Sequence, residues 1–450
     1  MDSPTLPSRI VVAGTHSGVG KTTVATGLMA AFAARGSRVG AAKVGPDFID
    51  PGYHAVAAGR PSRNLDIWMS GADAIPPLAA RAGDGCDILV VEGVMGLFDG
   101  AGDGTPSSTA DVADLLGAPV LLVVDASAMS QSIAALVHGY ATFDSRLCIA
   151  GVLLNRVGSA GHEQMLRDAL APLSIPVVGV LHRDDRLVWR DRHLGLVPVV
   201  ERAGEIRASV DRLAVEIART CDLDAIERIA RRAPRAAVGE LAEPRRVGAA
   251  RIAVAAGPAF SFLYPDNLEA LTAAGAEIVP FDPMTAPALP DGCVGLVAGG
   301  GFPEVYAAEL AANRSLLDDV GARVRAGLVV WAECGGLLWL ADRLDGTPMA
   351  GVVPTTATMT DRLTLGYRRA TMRVDSPLGP MGTVLRGHEF HYSRCEPDGD
   401  AIELTAHHGR GTAGFAGERL LASYLHVHLG NRPDVAERFV GRALRLPYIE

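Results

Sequence analysis

The sequence predicts an α/β protein of two domains, the first a doubly wound parallel sheet. Three observations carry that reading. Short β-branched apolar runs alternate with helix-length segments. A Gly-rich turn separates the first run from the first helix. A second series of runs starts after the polar stretch Glu240–Arg246, which places a boundary between domains 1–246 and 247–450. A chain of 450 residues is also too long for one ordinary domain.

In order, Arg9 to Ala13 reads as a buried strand and about Lys21 to Arg35 as a helix. Further strands are expected at Val39–Val44, Ile88–Val91, Val120–Val124, Ile149–Leu154 and Pro176–Leu181. Residues 203–250 are Ala-, Arg- and Glu-rich with helical spacing, and predict one or two helices and then a linker. The second series comprises a strand from Arg251, then Ala276–Val279, Val294–Val297 and Leu328–Ala332. From about Leu363 to Tyr424 the expected strands are shorter, punctuated by Gly and Thr.

Composition narrows the function. Hydrophobic residues make up 48% and charged residues 21%, as in a globular protein. A net charge of −9 speaks against a nucleic-acid partner, since phosphate neutralisation needs clustered Lys and Arg. It leaves room for an anionic small molecule in a local basic pocket. The six cysteines form no C-x-x-C pair, so neither a zinc ribbon nor a disulfide framework is indicated. No apolar run is long enough to span a bilayer and the N-terminus lacks a signal-peptide core, so a cytoplasmic location is expected.

Residues 11–23, V-V-A-G-T-H-S-G-V-G-K-T-T, lie where a strand passes into a helix. This is the setting of a phosphate-binding loop (P-loop). Backbone N–H groups and a helix N-terminus face the phosphates, glycines allow close approach, and a Lys supplies charge. Gly14, Gly18, Gly20, Lys21, Thr22 and Thr23 are therefore candidate ATP-binding residues, with the Thr22 hydroxyl a ligand for Mg2+. Thr15 stands where the strict motif has its first Gly, and the loop resembles that of dethiobiotin synthetase and its amide-forming relatives. Metal and phosphate chemistry calls for carboxylates at the same sheet edge. K-V-G-P-D-F-I-D-P (43–51) supplies Asp47 and Asp50, and D-I-L-V-V-E-G-V-M-G-L-F-D-G (87–100) supplies Glu92 and Asp99. Asn155, at another strand end, is a candidate for the adenine edge or a turn residue.

V-V-W-A-E-C-G-G (329–336) puts Cys334 on a sharp strand-to-helix turn, with the Gly335 N–H close by for an oxyanion. A-G-G-G-F-P-E (298–304) offers further N–H groups, and S-Y-L-H-V-H-L (423–429) offers His426 as base. The layout resembles class I glutamine amidotransferases. That family carries a Glu two residues after the His, where this chain has His428, so the third triad member is missing from its usual place. His428 is left as a weaker candidate for orienting the base. G-H-E-F-H-Y-S (387–393) matches no standard zinc spacing and reads as a source of polar contacts.

Together with H-L-G-L-V-P (193–198), these segments resemble the cobyrinic (or hydrogenobyrinic) acid a,c-diamide synthases over nearly the whole chain. The resemblance implies ATP- and glutamine-dependent amidation of the a- and c-carboxylates of a corrinoid in cobalamin biosynthesis, through acyl phosphates. It places Asp47, Asp50, Glu92 and Asp99 near magnesium, phosphate and the reacting carboxylate. It also implies L-glutamine as the nitrogen donor, hydrolysed by Cys334 and His426. A nickel-sirohydrochlorin a,c-diamide synthase and a nucleotide- and glutamine-binding regulator remain alternatives. A homodimer is compatible with the sequence. Four arginines in His182–His193 suit a polycarboxylate, or equally a charged surface paired with its own aspartates.

Overall fold

Seven strands of the first unit run parallel, and the order in which they pair sends every functional loop to one edge. The computed structural model describes residues 5–102, 104–184, 191–192, 195–196, 199, 202–407 and 409–445. The chain divides into two compact units, Met1–Leu241 and Ala242–Glu450.

In the first unit the main elements are β1 (Ser8–Gly14), α1 (Lys21–Ala34), β2 (Val39–Val44), α2 (Ile49–Ala58), β3 (Arg63–Leu65), β4 (Ile88–Glu92), β5 (Val120–Asp125), β6 (Ile149–Val157) and β7 (Val177–His182). The strand order is β3-β2-β4-β1-β5-β6-β7, with all pairings parallel. β2 and β4 are buried along their whole length, as expected where helices cover both faces of a parallel sheet. Their Val, Ile, Leu and Ala side chains pack against neighbouring helices, and β1 lies at the centre.

Arg9 is a charged residue buried in this unit. The Arg9 guanidinium donates to the carbonyls of Leu116 (2.6 Å), Pro7 (3.0 Å) and Pro234 (2.9 Å). Burial draws its pKa down to about 10. It thus ties β1 to the segment that follows the last helix of the unit, Leu223–Ala230. Arg9→Met keeps the apolar stem and orphans three carbonyls. We expect it to cost about 2 kcal/mol, read as a loss of several degrees in thermal melting of the full chain. An unchanged melting curve would show that water replaces the guanidinium at no cost.

The second unit contains β8 (Ala250–Ala255), β9 (Ala276–Phe281), β10 (Cys293–Ala298), β11 (Val329–Glu333), α3 (Gly335–Leu340), β12 (Val353–Met372), β13 (Val384–Glu396), β14 (Phe415–Gly417), β15 (Leu420–Ser423) and β16 (His426–Val427). One sheet has the order β9-β8-β10-β11-β15-β14, parallel apart from the β14/β15 hairpin. A second sheet is built on the antiparallel pair β12/β13, with β16 beside β13.

Here the structure departs from expectation. The region expected to hold short strands contains a 20-residue and a 13-residue strand. A register shift between Met359 and Thr364 and a left-handed Gly366 (φ 135°) let the longer one bend without ending. The Gly and Thr that suggested strand ends are absorbed within it. No helix among the described residues is long and apolar enough to cross a membrane.

Candidate active sites

The P-loop leaves β1 and enters α1, as the sequence predicts. Gly20 adopts φ 98° as the residue before the helix, which carries no side-chain cap. The N–H groups of its first turn therefore face outward unshared with a capping side chain, the arrangement that suits an anion. A Cβ on Gly14 would press on Val19 and the Lys21 stem, and one on Gly20 would meet the Asn155 amide. Gly18 (φ 79°) accepts at its carbonyl from Arg156. Lys21 lies along the loop, donating to the His16 carbonyl at 3.2 Å, with Thr22 and Thr23 following in the first turn of α1. Burial, reinforced by the neighbouring Lys43 charge, draws the Lys21 ammonium down to about 8 against the pull of Glu92, Asp50 and Asp99. Asn155 donates to the Val19 carbonyl at 2.8 Å and accepts from the Arg156 N–H at 2.9 Å. Its amide thus braces the loop.

The acids gather on this edge. Thr22 Oγ1 lies 2.7 Å from Glu92 Oε1 and 3.3 Å from Asp50 Oδ2. Between the two carboxylates sits Lys43, whose Nζ is 2.6 Å from Asp50 and 2.7 Å from Glu92. His54 closes the network at 2.5 Å from the second Glu92 oxygen, and its other nitrogen is 3.3 Å from Ser62 Oγ. Burial alone would neutralise these groups. Asp50 and Glu92 overcome it at Lys43 and hold the ammonium above its ordinary range. At Glu92, Lys43 and His54 likewise outweigh burial and keep the carboxylate far below its usual range. Asp50 goes the other way, raised by burial and by the adjacent Asp47. Asp47 itself accepts from the N–H of Ile49 (2.9 Å) and Asp50 (3.4 Å), anchoring the start of α2. Asp99 accepts from the Gly96 N–H at 2.8 Å, and its charge is felt at Lys21.

Sequence reasoning singled out neither Lys43 nor His54. The signal was present: Lys43 is the penultimate residue of β2, and Asp50 and His54 are four apart on one face of α2. A Mg2+ ion fits the oxygen set of Thr22, Asp50 and Glu92, since that ion takes one or two carboxylates and fills its remaining positions with phosphate and water.

In the second unit Cys334 stands between β11 and α3 with φ 47° and ψ −99°, a strained turn for a residue with a side chain. Three glycines around it leave little or no room for a Cβ. A Cβ on Gly336 would strike the Ala298 carbonyl, and one on Gly335 would lie 3.1 Å from the Gly301 nitrogen. One on Gly300 would lie 2.6 Å from His426 Cε1. His426 is buried and hydrogen-bonds the Cys334 thiol. Its Nδ1 is 3.3 Å from Glu333 Oε2, and the other Glu333 oxygen accepts from the Val427 N–H at 3.0 Å. Burial opposes the imidazolium, but Cys334 and Glu333 outweigh it and raise His426 to about 10.

His428 is not part of this group. Its Nδ1 accepts from the Gly430 N–H at 3.1 Å and its Nε2 lies 3.5 Å from Asp266. His426 opens the two-residue strand β16, and His428 falls beyond its end. In the 387–393 segment, Arg368 pairs with Glu389 at 2.7 Å and His391 stacks on Tyr424 at 3.6 Å. Among the described residues no three His, Cys, Asp or Glu side chains are placed to hold a metal. The arginine-rich segment at 182–193 falls largely outside the described residues, as does H-L-G-L-V-P.

Comparison with known proteins matches a domain family to each unit. Residues 10–196 match the CobQ/CobB/MinD/ParA nucleotide binding domain, and residues 251–434 match the CobB/CobQ-like glutamine amidotransferase domain. The hydrogenobyrinate a,c-diamide synthase of Streptomyces coelicolor is 48% identical over 98% of each chain. That of Thermobifida fusca is 46% identical over 96% of each. The cobyrinate a,c-diamide synthase of a Synechococcus strain is 41% identical over 96% of this chain and 97% of its own. With identities of this size over nearly its entire length, the chain belongs to the family of the hydrogenobyrinate and cobyrinate a,c-diamide synthases.

Proposed function

We propose that this protein amidates the a- and c-carboxylates of cobyrinic or hydrogenobyrinic acid, using ATP to activate each carboxylate and glutamine to supply ammonia. The observation that carries the proposal is the presence of two constellations in one chain. A P-loop has acids at its sheet edge, and a strained cysteine has a histidine against it.

In the first unit the glycine loop and the start of α1 take the phosphates, and Lys21 lies beside them as a point charge. Thr22, Asp50 and Glu92 would hold Mg2+, which when bound neutralises phosphate charge. A substrate carboxylate oxygen attacks the γ-phosphorus, breaking its bond to the ADP oxygen and forming an acyl phosphate. Ammonia then adds to the acyl carbon, the phosphate leaves, and the nitrogen gives up a proton. Lys43, held as an ammonium between Asp50 and Glu92, keeps Glu92 ionised at the edge of the P-loop. Asp47 and Asp99 fix the loops around it. In the second unit His426 takes the Cys334 proton, the thiolate attacks the glutamine amide carbon, and His426 returns the proton to the departing ammonia. Water then releases glutamate from the thioester. Nucleotide chemistry and six unpaired cysteines suit the cytoplasm, and a homodimer is compatible with this scheme.

The test is mass spectrometry of the full chain incubated with ATP, Mg2+, glutamine and either cobyrinic or hydrogenobyrinic acid. Two successive acid-to-amide conversions support the proposal, and the preferred acceptor decides whether cobalt is present. Intact ATP binding with no conversion of either acid would move the assignment to another tetrapyrrole. A narrower prediction concerns Gly300→Ala. Its methyl would push against His426 Cε1, so glutamine-driven turnover should fall by roughly 10- to 100-fold while ammonia-driven turnover is retained. Equal loss with both nitrogen sources would place the damage elsewhere.

A further inference from the structure

We propose that Glu333 is the positioning carboxylate of the glutaminase, the third member whose place after the histidine is filled by His428. The inference rests on the reading of Cys334 and His426 as the glutamine-hydrolysing pair.

Position supports it first. Glu333 is the last residue of β11, directly before the nucleophile, and both it and the imidazole are buried. Consecutive strand side chains point to opposite faces. The left-handed turn at Cys334 breaks that alternation and lets the acid and the thiol approach one imidazole. The carboxylate is itself anchored, one oxygen accepting from the Val427 N–H at 3.0 Å while the other lies 3.3 Å from His426 Nδ1. The histidine is thus held at its own nitrogen and at the peptide that follows it. An ionised carboxylate can only accept, so the proton of a neutral His426 sits on Nδ1 and the other nitrogen is free to take the thiol proton.

The remaining charges around His426 do not substitute for Glu333. His388, which pairs with His426 across β13 and β16, and His391 are driven down to about 3 and about 4, first by burial and then by the His426 charge. Both are neutral in the working range. Arg368, from β12, is committed to Glu389. Asp266 faces His428.

The chemistry asks for such a group. His426 must become an imidazolium as the thiolate forms, inside a site from which water is largely excluded. An adjacent carboxylate stabilises that charge and fixes the tautomer. Glu333→Gln tests this with almost no change of shape. The amide can still accept from the Val427 N–H, but it presents its N–H groups to Nδ1. That places the imidazole proton on the nitrogen facing the thiol, the wrong tautomer for a base.

The experiment measures glutamate release from glutamine by the full-length enzyme between about pH 6 and pH 10, for wild type, Glu333→Gln and Glu333→Asp. Ammonia-driven amidation serves as the control for folding. In Glu333→Gln we expect kcat to fall on the order of 10²-fold with KM for glutamine within about threefold. The sign of the pH effect follows from the charge removed. With the carboxylate gone the imidazolium is less stable, so the alkaline limb of kcat/KM should move down by about one pH unit or more. Glu333→Asp keeps the charge and should recover part of the rate, which also covers the case in which the glutamine variant folds poorly. A Glu333→Gln enzyme with kcat within threefold of wild type and an unmoved alkaline limb would overturn the assignment. So would equal losses in both variants accompanied by loss of ammonia-driven amidation, which mark a purely structural residue. If wild type releases no glutamate, the glutaminase reading itself fails, and Glu333 falls with it.

Discussion

Cys334→Ala is expected to lose glutamine-driven amidation by at least about 10⁴-fold while amidation driven by ammonium salts continues near the wild-type rate. The size follows from the chemistry. Without the thiolate no thioester forms, and His426 alone offers water a poor route to an unactivated amide. Retention with ammonia follows from the separateness of the two units, each with its own core, so a small substitution at the β11–α3 turn leaves the P-loop untouched. The ammonia-driven rate should climb with pH as ammonium gives up its proton. Loss of both activities would refute the division of labour. Retention of glutamine-driven activity would move the nucleophile to another residue.

Lys43→Met should be the most damaging substitution in the first unit. It removes the cation shared by Asp50 and Glu92 and leaves two carboxylates facing each other inside the protein. Breaking a buried pair from one side costs roughly 3–5 kcal/mol, or about 10 °C of melting temperature for a unit of this size. The pH dependence can be stated with its sign. In wild type the Glu92 pKa is depressed, so its stabilisation is present above the unfolded carboxylate pKa and is lost only as pH falls through a folded value far below the ordinary range. Without Lys43, only His54 opposes burial, so the Glu92 pKa should rise. A raised carboxylate stabilises below the unfolded pKa and stops doing so as pH climbs. The deficit should therefore be greatest near pH 8 and shrink toward pH 5. A deficit that is flat across that range, or greater in acid, would show that the ammonium is not what holds Glu92 ionised. Amidation should also fail, because Glu92, beside Thr22 at the P-loop, would lose the cation that holds it ionised.

Much of this was legible in the sequence. Strands β1, β2, β4 and β5 announced themselves as short apolar runs, and their shared edge follows from parallel pairing alone. The P-loop, Glu92, Cys334 and His426 could be picked out as candidates because each lies by a strand end or a glycine-flanked turn, and Asp50 because it follows a strand at the same sheet edge. The residues missed share a different property: their chemistry depends on register. Lys43 reads as one more residue of an apolar strand until β2 pairs with β4 and sets it opposite Glu92. His54 reads as a helix residue until α2 folds back over the sheet. Glu333 was hidden by a template, since the family pattern directs attention to the position after the histidine. The β12/β13 sheet was misjudged because threonine and glycine signal turns locally, whereas pairing over 20 residues decides what becomes strand.

The brace on the phosphate-binding loop has a consequence for how heat and disorder divide on nucleotide binding. Asn155 holds the Val19 carbonyl from β6, and Arg156, fixed to Asp125, holds that of Gly18. A loop already restrained at two successive carbonyls has few conformations left to lose. Calorimetric titration with ATP should accordingly show a small ordering penalty. Asn155→Ala should weaken binding mainly through a more unfavourable entropy, with the enthalpy of the phosphate contacts largely kept.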